Sequence, residues 1–163
     1  MTEAIVIRPA RADDFKTIAS IFHDAVRQVA IRDYTPEQVE AWSPGEHSVE
    51  HWTKRTAALK VRLAALSETP ATAAGFIGFA DDGFIDLLVT RPEFLRRGIA
   101  RSLLRDAESD LQKNNVASAY ANVSLTARPF FEAMGYRSVK SQRVWCRSVE
   151  FQNFRMEKNL ITP

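Results

Sequence analysis

The chain opens on a short β-prone run, Ile5-Val6-Ile7, that Pro9 ends, which predicts a first strand. Ala12-Asp13-Asp14 offers an acidic helix start, after which Phe15, Ile18, Phe22, Ala25 and Val29 recur at the spacing of one helix face. Thr35-Pro36-Glu37 reads as a second helix N-terminus, with Thr35 as cap and Pro36 at the first helical position. That helix carries Val39 and Trp42 and stops near Pro44-Gly45; another short one covers Val49 to Ala58. From Lys60 the period drops to two. Val61, Leu63 and Ala65 alternate with polar or smaller residues, a turn follows at Thr69 to Thr72, and Gly75 to Phe79 forms the partner strand. Asp81-Asp82-Gly83 is a hairpin turn signal. It leads into Phe84-Ile85-Asp86-Leu87-Leu88-Val89, almost continuously apolar, as a strand buried on both faces should be. Ile99, Leu103, Leu104, Ala107 and Leu111 define the next helix, and Ala117 to Val123 the next strand. Thr126 to Met134 is a short helix closed by Gly135 just past its end. Two last β-prone runs, Tyr136 to Val149 and Phe151 to Lys158, complete a mixed α/β domain expected to span residues 1–163 without repeat or linker.

Composition narrows the class. The 163 residues are 45% hydrophobic and 26% charged, the balance of a soluble globular protein. A formal charge of +2 argues against a basic nucleic-acid-binding surface. The single cysteine, Cys146, permits no internal disulfide and suits a reducing compartment, and no stretch reaches the apolar length that spans a bilayer. The N-terminus lacks the basic start and apolar run of a signal peptide, so the expected location is cytoplasmic. The near-neutral total hides a division. Residues 1–90 hold nine Lys/Arg against thirteen Asp/Glu, whereas residues 91–163 hold thirteen against seven. This polarity puts the excess positive charge in the second part of the chain, where an anionic ligand would be favoured.

The chemistry concentrates where the basic part begins. Leu87 to Leu104 runs from a buried strand through Thr90-Arg91-Pro92 into a helix start with small residues at Gly98 and Ala100. First-turn N–H groups have no intrahelical partners and the helix dipole is positive there, so such an end suits phosphate oxygens. Arg96, Arg97 and Arg101 add charge-assisted donors. An ordinary strand-loop-helix crossover with solvated arginines would carry the same residues, and neither a Walker loop nor a dinucleotide fingerprint is present.

This segment resembles motif A of the GNAT N-acetyltransferase superfamily, Gln/Arg-x-x-Gly-x-Gly/Ala, with Gly98 and Ala100 on the small positions and Leu95 where Gln or Arg is usual. Ser124-Leu125-Thr126-Ala127-Arg128-Pro129-Phe130-Phe131 through Gly135-Tyr136 resembles the later motif Asn-x-x-Ala-x-x-Phe-Tyr-x-x-x-Gly-Phe, and Ile7-Arg8-Pro9-Ala10 with Asp13 matches the family's opening. Tyr34 to Gln38, Trp42, Ile85-Asp86 and Asn153-Phe154 look most like its bacterial YafP-like branch. The resemblance implies a mixed, mostly antiparallel twisted sheet of about seven strands with helices on both faces. It also implies transfer of an acetyl group from acetyl-CoA, as cosubstrate and without a metal, to a primary amine of a small molecule or peptide. Relatives often form homodimers. Carried over residue by residue, Leu88 and Val89 would pair with the pantetheine arm, and Arg96, Arg97, Gly98, Ile99, Ala100 and Arg101 would hold the pyrophosphate. Ser124 and Phe130 would flank the arm, and the Val89 N–H would donate to the thioester oxygen.

Two proton transfers remain to be assigned. Asp86, the only charge inside its apolar strand, is the candidate to deprotonate the amine, against a structural role as a satisfied carboxylate capping a backbone bulge, which would require a partner. The usual thiolate acid is a Tyr at the position of Phe131, so the thiolate leaves unaided or Tyr34 or Tyr120 supplies the proton. Phe131 also favours a different class, a non-catalytic acyl-CoA-binding regulatory module. A hydroxyl acceptor is a third reading. In relatives the region from Tyr34 to Trp52 forms the acceptor pocket, where Trp42 and Trp52 could wall it and Glu37 or Glu40 could attract a cationic amine, or else be core and solvated residues. His47, Glu50 and His51 lack the pattern of a metal site, and Cys146 reads as an inert thiol.

Overall fold

The computed structural model describes residues 4–161. Strands β1 (Ile5–Pro9), β2 (Lys60–Leu66), β3 (Ala73–Phe79) and β4 (Ile85–Thr90) form an antiparallel sheet in that order. Strand β7 (Val149–Asn159) lies between β5 (Ser118–Ser124) and β6 (Arg137–Cys146) in a second antiparallel sheet. The seven expected strands are therefore present as two halves, joined by one parallel bridge between Phe84 and Tyr120.

Helices cover both faces of the first half. On one, α4 (Ile99–Lys113) buries Ile99, Leu103, Leu104 and Leu111 against Ala64, Ile77, Phe79 and Ile85. On the other, α1 (Phe15–Gln28) and α3 (Val49–Arg55) bury Ile18, Ile21 and Trp52 against Leu63, Phe76 and Leu87. Helix α2 (Pro36–Trp42) starts as its residues predict. Thr35 Oγ1 accepts the Gln38 N–H at 3.1 Å while Gln38 Oε1 accepts the Thr35 N–H at 2.9 Å. Gln38 Nε2 then donates to the Glu150 carbonyl at 2.9 Å, tying α2 to β7. Helix α3 ends at Arg55, earlier than expected, because Thr56 turns its hydroxyl back to the Trp52 carbonyl at 2.8 Å. Helix α5 (Arg128–Ala133) packs Phe131 beside Tyr136. The Tyr136 hydroxyl donates to buried Glu108 at 2.7 Å, and burial together with that carboxylate holds its proton tightly.

Strand β4 departs from regular alternation. Gly78 opposes Leu87 and Phe79 opposes Ile85, so Asp86 is the extra residue of a bulge. Leu87 and Val89 pack on the α1 side and Leu88 on the α4 side, yet Ile85 also packs on the α4 side. One inserted residue has reversed the alternation and delivers Asp86 to the side where α3 lies. The strand is accordingly not buried on both faces as expected: Asp86, Leu88, Val89 and Thr90 are half-exposed.

Gly83 fixes the point where the halves meet. The Tyr120 N–H donates to its carbonyl at 2.9 Å, and a Cβ there, at φ +105°, would overlap the Ser118 carbonyl oxygen. Gly83→Ala is expected to destabilise the fold by about 2–3 kcal/mol, from the left-handed backbone and the backbone clash together. A urea midpoint equal to that of the parent chain would show that the junction relaxes freely.

Candidate active site

Ladder phase decides which main-chain groups face the gap between the halves. The Arg91 N–H donates to the Ala74 carbonyl at 2.8 Å, and antiparallel pairs alternate. Val89, two residues back and opposite Phe76, therefore directs its N–H and C=O toward β3. Leu88, opposite Ile77, turns its own toward β5. On β5 the Leu160 N–H donates to Ala117 at 2.8 Å, which sets the same alternation. Asn122 and Ser124 thus share the outward direction of Tyr120 and face β4. Beyond the Phe84–Tyr120 bridge the two edges confront each other unpaired.

A cleft of ≈ 650 Å³ runs along these edges to the start of α4. Gly98 caps that helix at φ +82° and offers no side chain, and the first intrahelical bond is Ser102 N–H to Gly98 O at 3.0 Å. The N–H groups of Ile99, Ala100 and Arg101 are left without intrahelical acceptors. A Cβ on Gly98 would touch only Ile5 Cδ1, at 3.6 Å, so the space above the helix end is open. Arg96, itself at φ +62°, and Arg101 border the cleft, with Phe94, Pro129 and Phe130 along its wall. Thr126 Oγ1 is buried there without a hydrogen-bond partner. An anionic end, an apolar wall and unpaired polar groups along a strand edge fit a long phosphorylated ligand with amides.

The second cleft, ≈ 350 Å³, lies between α3, the end of α2 and the β6–β7 turn. Trp42 and Trp52 line it, Trp52 as a core residue only 2% exposed. Asp86 faces it, held by Arg55 through two hydrogen bonds of 2.5 and 3.0 Å. His47 and His51 stack at 4.0 Å on its rim, and burial, with His51 and Arg147 nearby, depresses the proton affinity of His47. Among the described residues no group of three or more His, Cys, Asp or Glu is positioned to hold a metal, and no helix is long and apolar enough to cross a membrane.

The acetyltransferase (GNAT) domain family matches residues 30–158. The uncharacterized N-acetyltransferase YafP of Escherichia coli (strain K12) is 37% identical over 155 residues, covering 93% of this chain and 94% of that protein. The chain belongs to the GNAT acetyltransferase family. It is an acyltransferase by that membership and matches the YafP-like branch. The crystal structure of a GCN5-related N-acetyltransferase from Rhodopseudomonas palustris superposes with a TM-score of 0.90 at 23% identity, over 98% of both chains. PaiA N-acetyltransferase from Thermoplasma acidophilum, solved in complex with coenzyme A, gives 0.75 at 20% identity over 96% of this chain and 99% of that one.

Against the GNAT pattern, the expected residues divide. Leu88, Arg96, Gly98, Ile99, Ala100, Arg101, Ser124 and Phe130 all border the larger cleft. Arg97 does not; its guanidinium lies over the Phe94 ring at 5.3 Å. Val89 borders the cleft with its side chain, but the gap-facing amide is Leu88's. Asp86 has the partner that a structural role requires, Arg55, and still faces the smaller cleft. Tyr34 borders neither cleft. Its hydroxyl accepts the Leu125 N–H at 2.8 Å and donates to the Gln152 carbonyl at 3.2 Å, and burial raises its hold on the proton. Tyr120 donates to Asp82 at 2.6 Å, which also raises it. Neither tyrosine reaches the gap. Glu37 is exposed and Glu40 is paired with Arg27 at 2.6 Å, so neither offers the expected negative charge to the smaller cleft. Sequence reasoning missed Arg55 and Arg147, which do line it.

Proposed function

We propose that this GNAT chain transfers the acetyl group of acetyl-CoA to a primary amine of a small molecule or peptide, by direct attack with both substrates bound. The observation that carries the proposal is a shared wall: Leu88, Val89, Ser124 and Phe131 border both clefts. Groups lying in the two clefts meet there without a covalent carrier on the protein, and Cys146 borders neither cleft. Acetyl-CoA supplies the activated acyl thioester. The α4 first-turn amides, Arg96 and Arg101 hold its pyrophosphate. The open main-chain groups of Leu88, with those of Asn122 and Ser124 opposite, take the amides of the pantetheine arm, and Thr126 Oγ1 gains a partner. The Leu88 N–H donates to the thioester oxygen, the task first expected of Val89. Asp86 accepts the proton that the amine must lose.

No tyrosine borders either cleft, so the thiol leaves without a side-chain acid of that kind. A thiol is acidic enough, compared with an alcohol or an amine, that its thiolate can depart unaided and take a proton from solvent afterwards. The missing hydroxyl at Phe131 is also the feature that favours the regulatory-module reading. Titrating CoA and acetyl-CoA by calorimetry is expected to give one site per chain for each, and no binding by either removes the proposal. Amine-dependent thiol release from acetyl-CoA then separates the two readings. Binding without release from any amine in a mixed panel selects the regulatory module.

A further inference from the structure

We infer that the acceptor amine carries a carboxylate, and that Arg147 is the residue that selects it. This rests on the acetyl-transfer reading and adds the acceptor's chemical class. Two guanidiniums line the smaller cleft, those of Arg55 and Arg147, against a single carboxylate, Asp86. Asp86 is already engaged twice by Arg55. Arg147 has no carboxylate partner among the described residues. The acidic residues of the neighbouring helices point elsewhere, Glu40 to Arg27 and Glu50 to Lys54. The cleft therefore keeps one uncompensated positive charge, the opposite of what a cationic amine would favour.

Arg147 is exposed, but its guanidinium is anchored at one end. Its Nη1 donates to the Ala41 carbonyl at 2.6 Å, which anchors one edge of the guanidinium and leaves the other for a ligand. Its backbone is unusual as well. Arg147 and Ser148 sit at φ +46° and +65° in the two-residue turn between β6 and β7, closed by the Cys146–Val149 pair. That geometry ordinarily selects Asn-Gly. Two L-residues with side chains occupy it under strain, and such strain gathers where a side chain must be aimed. Beside it, His47, whose hold on a proton is lowered chiefly by burial, offers a further hydrogen-bonding group.

The test compares matched acceptors, ω-amino acids and their amides, which differ only in the carboxylate charge. Dipeptides with free and amidated C-termini, run alongside, separate a free amino acid from a peptide terminus as the source. The parent chain is expected to prefer acid over amide in kcat/KM by about tenfold or more, the yield of one charge-assisted contact. Arg147→Ala should bring that ratio near one, mainly through KM, Arg147→Lys should restore part of it, and Arg147→Glu should invert it. Quenching of the cleft tryptophans by the N-acetylated acid, titrated into the CoA-bound chain, should weaken in parallel. Equal rates for acid and amide in the parent chain overturn the inference while acetyl transfer stands. Equal losses for both in Arg147→Ala overturn it too, since a merely structural arginine would act that way. Failure to bind acetyl-CoA overturns both readings.

Discussion

Replacing Gly98 with glutamate is expected to weaken CoA binding by about a hundredfold or more. Three effects act together. The new carboxylate stands at the helix end whose first-turn amides and dipole are arranged for an anion, and it faces the pyrophosphate as a like charge. Its bulk fills space that is empty up to Ile5 Cδ1 at 3.6 Å. Its backbone must adopt φ +82°, a cost of about 1–2 kcal/mol for an L-residue. Gly98→Asn separates these terms, because Asn visits the left-handed region readily and adds no charge. It is expected to retain most of the affinity, while the thermal midpoint of Gly98→Glu in the absence of CoA reports the strain alone. Parent-like affinity in Gly98→Glu would mean that the pyrophosphate lies elsewhere.

Asp86→Asn is expected to lower kcat by about 10²-fold or more with acetyl-CoA affinity unchanged, the range for removing a general base. The substitution keeps the shape of the side chain and one hydrogen bond to Arg55, so the fold is expected to survive with a modest loss of stability. Arg55→Ala distinguishes the roles. If Asp86 serves only to pair with Arg55, both variants should lower the thermal midpoint alike and leave kcat near the parent value. If it takes the amine's proton, Asp86→Asn should lose far more rate than Arg55→Ala, and raising the pH should recover part of it by supplying free amine. A kcat for Asp86→Asn equal to the parent's at all pH values returns Asp86 to the structural role.

How much of this was legible depends on the distance over which each feature is determined. The α2 cap at Thr35-Pro36, the Gly135 terminator and the Gly98-x-Ala100 helix start are local, and the chain spells them out within a few residues. The partner of Asp86 lies 31 residues away and the Ala41 anchor of Arg147 lies 106 away, beyond any local pattern. A lone carboxylate in an apolar run marks a bulge at Asp86 as one reading, but which side receives that carboxylate is decided by the pairing with β3. Ladder phase is equally silent: Leu88 and Val89 look alike in sequence, but only the first turns its amide to the gap. The turn at Arg147-Ser148 was hidden for a related reason, since it lacks the Gly or Asn that would have broken the β-prone run from Tyr136 to Val149. Tyr34 misled because its hydroxyl, free on paper, is taken up by Leu125 and Gln152. The division of charge along the chain was real, but carboxylates of the acidic part are drawn off into pairs such as Arg27–Glu40, Arg8–Asp14 and Arg55–Asp86.

The split between the two half-sheets has a bearing on how such a protein can diverge. A donor held as proposed, by strand-edge amides and a helix end with Arg96 and Arg101 beside them, is recognised largely through main-chain atoms. Side chains of β4 other than Asp86, and those around Leu95, can then change with little effect on the donor, provided the strand and the turn into α4 persist. The smaller cleft takes its distinctive side chains from α2, α3 and the β6–β7 turn, while it shares Trp42, Leu88, Val89, Ser124 and Phe131 with the donor groove. On the proposed reading, substitutions at Arg55 or Arg147 are expected to change the acceptor while leaving the cosubstrate unchanged.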